Sequence, residues 1–219
     1  MSVFERPIVM LDFETTGLSP AVGDRITEVA ALRIVGGRVT ERYVSLVNCG
    51  ARIPAFISAL TGISQDMVDN APPASRVVPE LLDFIGADAL AAHNASFDEK
   101  FLKAESERLG RSCGHAHLVC SLKLSRRVFP GLSSYKLGQL SGQLGIRFNS
   151  RAHRAEADAE VAAELLLHIG RHLGDTYGLG QVEPALLASL NKVSAAKVPA
   201  WMSKYCTAGQ AEKKTTQIN

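Results

Sequence analysis

No stretch of this chain is long and apolar enough to span a bilayer, and none of its four cysteines falls in a CxxC pair. The first absence excludes a helical membrane span. The second leaves Cys49, Cys113, Cys120 and Cys206 scattered, a usage that fits reduced thiols better than a disulfide framework. The N-terminus has no basic segment followed by a long apolar run, because Ile8 to Leu11 meets Asp12 at once. It is therefore not read as a secretory signal, and a cytoplasmic protein with no membrane partner is the expectation. Internal repeats and low-complexity tracts are also missing, which excludes collagen, coiled coil and disorder.

Acidic residues are missing from one long segment. Between Glu107 and Glu156 there is none, while Arg108, Arg111, Lys123, Arg126, Arg127, Lys136, Arg147, Arg151 and Arg154 all fall there. Net charge is only +2, so total charge points to no partner; its distribution says more. A one-sign segment in a folded domain is expected to make a positive surface suited to phosphate backbones. From charge alone, a solvated basic face reads equally well. The same segment holds Cys113, His115, His117 and Cys120, which are zinc ligand types. Their spacing matches no common zinc module, and they read as loop and strand.

Apolar residues make up 46% of the 219, enough to pack one domain of ordinary size with an appendage. Pro7 to Glu14 predicts a buried strand ending in acids, followed by turn residues through Pro20. Ile26 to Val35 and Val39 to Val47 predict two strands joined by a hairpin at Gly36-Gly37. Helical spacing then appears over Ser75 to Ile85, Phe97 to Leu109, Leu122 to Val128, Lys136 to Leu144 and Glu156 to Leu173. Short strands at Ala89 to His93 and His117 to Cys120 interrupt it. An antiparallel three-strand meander followed by alternating strands and helices predicts an α/β fold, a mixed sheet flanked by helices. That arrangement resembles the ribonuclease H-like fold. Residues 1–175 are read as this domain and residues 176–219 as a basic, partly helical extension. Within the extension a helix is expected near Glu183 to Val193, and a frayed polar end beyond Tyr205.

Three short motifs carry chemistry. Asp12 and Glu14 are two apart on a strand, so their side chains share one side. Paired carboxylates at the end of an apolar strand repel one another and need a cation, and an all-oxygen set suits Mg²⁺ or Mn²⁺. Taken alone, the pair is explained more simply by a solvated strand end. Asp98 falls in the first turn of a predicted helix, where the helix dipole alone favours an acid. His153 and Asp158 flank the start of the long helix, and a histidine there can take a proton from water.

Taken together, the motifs Leu11-Asp12-Phe13-Glu14-Thr15-Thr16-Gly17-Leu18, His93-Asn94-Ala95-Ser96-Phe97-Asp98, and His153, Ala155, Asp158 resemble the DEDD exonuclease superfamily. The branch is the one with a histidine in its last motif, the type found in proofreading epsilon subunits of bacterial replicative polymerases. Leu60-Thr61-Gly62-Ile63 and Ser134-Tyr135-Lys136-Leu137 fit as well, and the likeness covers about residues 6 to 173. Ser121 departs from it, standing where many relatives have an acid. The resemblance implies a 3′→5′ exonuclease that releases nucleoside 5′-monophosphates from single-stranded DNA. It implies that Asp12, Glu14, Asp98 and Asp158 hold two divalent ions, Mg²⁺ or Mn²⁺, with His153 as general base. It places Thr15, Gly17, Leu18, Leu60, Thr61 and Phe97 around the terminal nucleotide, and a DNA polymerase subunit as protein partner. Two other readings stay open: an RNA 3′-exonuclease, and a non-catalytic nucleic-acid-binding or polymerase-interaction subunit.

Overall fold

The computed structural model describes residues 2–146 and 153–216, with side chains through residue 208. Arg147 and Arg151 of the basic stretch lie outside the described residues. Seven strands are described: β1 (Ser2–Val3), β2 (Ile8–Thr15), β3 (Ile26–Val35), β4 (Arg38–Leu46), β5 (Ala89–Ala92), β6 (Leu118–Cys120) and β7 (Gln181–Val182). The α-helices are α1 (Ala55–Thr61), α2 (Gln65–Asp69), α3 (Ala74–Ile85), α4 (Ser96–Arg108), α5 (Ser121–Val128), α6 (Leu137–Gln143), α7 (Ala155–Tyr177), α8 (Pro184–Leu190) and α9 (Val198–Thr216).

The main sheet runs in the order β4-β3-β2-β5-β6. β2 pairs antiparallel with β3 and parallel with β5, and β6 continues the parallel half. This is the mixed sheet that the strand and helix order predicts. Gly36 and Gly37 both take positive φ, 60° and 78°, which lets the β3–β4 turn be tight.

Alternation along β2 decides what each face meets. Ile8 and Met10 join Ala30, Leu32 and Ile34 under α7, in a core with Ala155, Ala159, Ala162, Ala163 and Leu166. Val9, Leu11 and Phe13 face the other way, against Leu81 and Ile85 of α3 and Phe101 and Leu102 of α4. Asp12 and Glu14 continue the Ile8–Met10 parity, so they emerge on the face that α7 covers. The small alanines on one stripe of α7 let it lie close to that face.

The chain after Thr176 returns to the same core. β7 pairs parallel with β1, and Leu186, Leu187 and Leu190 of α8 are buried with the α7 residues. Gly170 of α7 sits under β1, where a Cβ would meet Val3 Cγ1 at 2.6 Å, so only glycine allows that approach. Within the extension the backbone is helical from Val198 to Thr216. Among the described residues no helix is long and apolar enough to cross a membrane.

Candidate active site

The carboxylates meet at the C-terminal end of β2. Among the described residues Asp12, Glu14 and Asp158 can each present a carboxylate oxygen such that all lie within 4.8 Å of one another. Two come from the strand and the third from the first turns of α7, which crosses that face. Asp98 arrives from the opposite layer, in the first turn of α4 just past the end of β5. It is 3% exposed, and the backbone N–H groups of Asp98 and Phe13 favour its charged form. Pairing of β2 with β5 covers Ile8 to Met10, so Phe13 lies beyond it.

Four acids in one partly buried place raise each other's proton affinity. Burial pushes Asp12 well above the usual carboxylate range, and Asp98, Asp158, Glu14 and Glu28 add to it. Burial, then Asp158 and Glu28, push Glu14 up to about 8 against the pull of Arg154. Asp98 is pushed up to about 8, mainly by burial, with those two backbone N–H groups opposing. Asp158 is raised by burial and held back by the His153 N–H. This donor set is all oxygen, converging and short of positive charge, which fits a hard divalent cation.

His153 stands just before α7 with its side chain exposed. Its φ is +64°, a left-handed conformation that non-glycine residues adopt at some cost. That turn aims its backbone N–H at Asp158 Oδ2, 3.1 Å away, so the base candidate and a ligand candidate are locked to one another. Asn94, also left-handed at φ 73°, turns the chain from β5 into the segment that delivers Asp98. His93 beside it is half-buried, with Nδ1 3.0 Å from Ser121 Oγ and Nε2 3.1 Å from the Tyr135 carbonyl oxygen. Burial lowers its pKa, and its two ring contacts tie β5, α5 and the loop before α6 together.

The expected nucleotide-binding residues divide. Thr15, Gly17 and Leu18 follow Glu14 directly, and the Thr15 hydroxyl donates to the Gly17 carbonyl at 2.6 Å. Leu18 is 78% exposed, and Lys100 of α4 holds its carbonyl oxygen at 2.5 Å. Phe97 packs against Phe101 with ring centroids 5.0 Å apart, under the Lys100 ammonium. Leu60 and Thr61 sit on α1, over a separate cluster of Cys49, Ile53, Ile57, Ile63 and Val68. Leu60 is exposed, while the buried Thr61 hydroxyl donates to Ile57 O and accepts from Ile63 N.

The basic stretch does not form the uniform positive surface its composition suggests. Arg108 pairs with Glu105, Arg111 with Asp83 and Arg154 with Glu28, each acid lying outside the stretch in sequence. Arg127 ties α5 to the Val193 carbonyl, and Arg126 lies over the Tyr135 ring. Reading along the chain missed Asp83 and Glu28 because they return from other elements, whereas Glu105 lies one turn before Arg108 on α4. It also missed Glu28 and Arg154 as neighbours of the site. The available signal was a glutamate inside the largely apolar run Ile26 to Val35.

The family profile described as Exonuclease (RNase_T) matches residues 9–166. "3'-5' exonuclease DinG" of Bacillus subtilis (strain 168) is 42% identical over 161 residues, which are 74% of this chain and 17% of that protein. "DNA polymerase III subunit epsilon" of Aquifex aeolicus (strain VF5) is 34% identical over 179 residues, 82% of this chain and 88% of that protein. The chain thus spans a small part of the first relative and most of the second. The solved structure "Exonuclease X in complex with 5' overhanging duplex DNA" superposes with a TM-score of 0.67 at 26% identity, covering 84% of this chain and 99% of that one.

Proposed function

We propose that this chain, which belongs to the Exonuclease (RNase_T) family, removes nucleotides from the 3′ end of DNA by metal-dependent hydrolysis. The observation that carries the reading is the convergence of Asp12, Glu14 and Asp158, with Asp98 and His153 bound into the same place. Asp12, Glu14, Asp98 and Asp158 would hold two divalent cations, Mg²⁺ or Mn²⁺. Bound there, such cations supply neutralisation of the phosphate charge and a more acidic attacking water.

The chain's own residues account for the remaining needs. His153 lies exposed at the rim and accepts the proton that the attacking water gives up. Its backbone bond to Asp158 keeps it registered with the carboxylates. Leu18 and Phe97 offer apolar surface to the terminal base and sugar, with little sequence preference because every base has a stackable face. Lys100 fixes the Leu18 backbone and so the width of that slot. Thr15 and Gly17 shape the turn beneath it, and Leu60 and Thr61 form a more distant wall in the same reading. The products are a nucleoside 5′-monophosphate and a strand shortened at its 3′ end.

Residues 1–175 would form the catalytic unit, with 176–219 as an extension packed on it. Association with a DNA polymerase is the partner reading, supported by the epsilon relative spanned over 88% of its length. Single-stranded DNA, duplex DNA and RNA of equal length, each labelled and supplied with Mg²⁺ or Mn²⁺, test the substrate. Faster loss of single-stranded DNA is the expected outcome. Preferential loss of RNA would replace the substrate, and binding without cleavage of any strand would replace the enzyme reading.

A further inference from the structure

Glu28 lies directly across from Glu14 in the β2–β3 register, and it is 2% exposed. Facing carboxylates on neighbouring strands repel, and a buried one needs compensating donors. Among the described residues, the donors to Glu28 all come from the start of α7. Arg154 Nε lies 3.1 Å from both of its carboxylate oxygens and Arg154 Nη2 lies 2.5 Å from Oε1. The Ala155 N–H donates to Oε2 at 2.9 Å. Ala155 is the first residue of α7, and its amide has no acceptor within the helix. Glu28 therefore caps α7 from another strand, with charge and with a directed hydrogen bond.

This pin sits between the two site residues that α7 delivers. His153 immediately precedes Arg154, and Asp158 follows one turn later with its own N–H donating to the Arg154 carbonyl at 3.0 Å. Arg42 of β4 also reaches this turn, through Glu156 and Glu160, but those pairs are exposed and contribute little. We propose that Glu28 is a positioning residue: through Arg154 and the Ala155 amide, it sets where Asp158 and His153 stand against Asp12 and Glu14. Both Glu28 oxygens already accept from α7, so this geometry does not offer it as a further cation ligand. The inference rests on the exonuclease reading for its kinetic consequence and on the structure alone for the pin.

The test uses the full chain with Glu28→Ala, Glu28→Gln, Arg154→Ala and the double alanine variant. Amide exchange over residues 153–158 is followed in chelator, where activity plays no part. Cleavage of a 5′-labelled single strand is then measured with Mn²⁺. Glu28→Ala and Arg154→Ala should each speed exchange at the start of α7 and lower kcat about ten- to a hundredfold. KM for the strand should stay within about twofold, since binding groups are untouched. Glu28→Gln, which keeps an acceptor for Ala155, should recover part of the loss, and the double variant should be no worse than the worse single one. Wild-type kcat in Arg154→Ala alongside a loss in Glu28→Gln would overturn the proposal, because Glu28 would then act by its own charge. Unchanged exchange in both alanine variants would overturn it as well. If Glu28→Ala fails to fold, the partly exposed Arg154 decides alone. A wild-type chain that exchanges as expected but cleaves no strand would defeat the exonuclease reading and leave the pin standing.

Discussion

Two arginine–glutamate clasps hold helices of this fold in place, and they sit in different electrostatic company. In the first, Glu28 on β3 receives Arg154 and the start of α7. In the second, buried Glu105 on α4 receives Arg25 in a two-pronged contact at 2.6 and 3.0 Å, with Arg108 adding a third at 2.9 Å. Arg25 in turn is bonded to Thr16 through its N–H, so this clasp fastens the loop after β2 to the helix that carries Asp98. Glu28 raises the proton affinity of Asp12, Glu14 and Asp158, whereas Glu105 contributes to none of the four shifted acids. A buried pair away from the carboxylate cluster serves the fold. The same pair beside a carboxylate cluster also tunes how strongly that cluster needs a cation.

The comparison breaks most completely at the cluster itself. Asp12→Asn should drop cleavage to the assay floor while raising the melting temperature of the metal-free protein, because one buried repelling charge is removed. A lower melting temperature with activity retained would show that Asp12 is structural. Next in size is His153→Ala, expected to cost on the order of a hundredfold to ten-thousandfold in single-turnover rate while Mn²⁺ binding is kept. Loss of Mn²⁺ binding in that variant would move His153 from proton acceptor to ligand.

The second clasp should respond through stability instead. Glu105→Gln leaves Arg25 and Arg108 without their buried counter-charge and should cost about 1–3 kcal/mol. In a domain of this size that lowers the melting temperature by several degrees, at about 2–4 °C per kcal/mol. A kcat loss as large as that of Glu28→Ala, with melting unchanged, would erase the distinction between the clasps.

A smaller effect sharpens the electrostatic contrast. Glu14 moves from 4.5 to about 8 on folding, so the metal-free folded chain binds more protons than the unfolded chain between those values. Stability of the metal-free protein should therefore fall as pH rises from about 4.5 toward 8. A divalent cation offsets that repulsion, so the gain in melting temperature on adding Mg²⁺ should be larger at pH 8 than at pH 6. A gain independent of pH would mean that the cation binds elsewhere.

Much of this was legible in sequence. β2 and β3 read clearly because long apolar runs end in turn residues, and α7 because helical spacing persists across it. α1 and α2 were not assigned, being seven and five residues long with too few turns to show a period. β1 and β7 are two residues each and exist through pairing with one another across the whole chain. The site was legible as three motifs because each is local. Glu28 was not, because its place opposite Glu14 depends on strand register, and its compensation by Arg154 depends on how α7 crosses the sheet.

Direction and cation dependence can be read in one experiment on a 5′-labelled single strand. Metal-free protein is added to the strand in chelator, then Mg²⁺ is supplied in excess and the products are resolved by length. The account predicts no product before the cation and a descending ladder of labelled, 3′-shortened strands after it, absent in Asp12→Asn. Labelled mononucleotide at the earliest time, or a ladder in chelator, would contradict it.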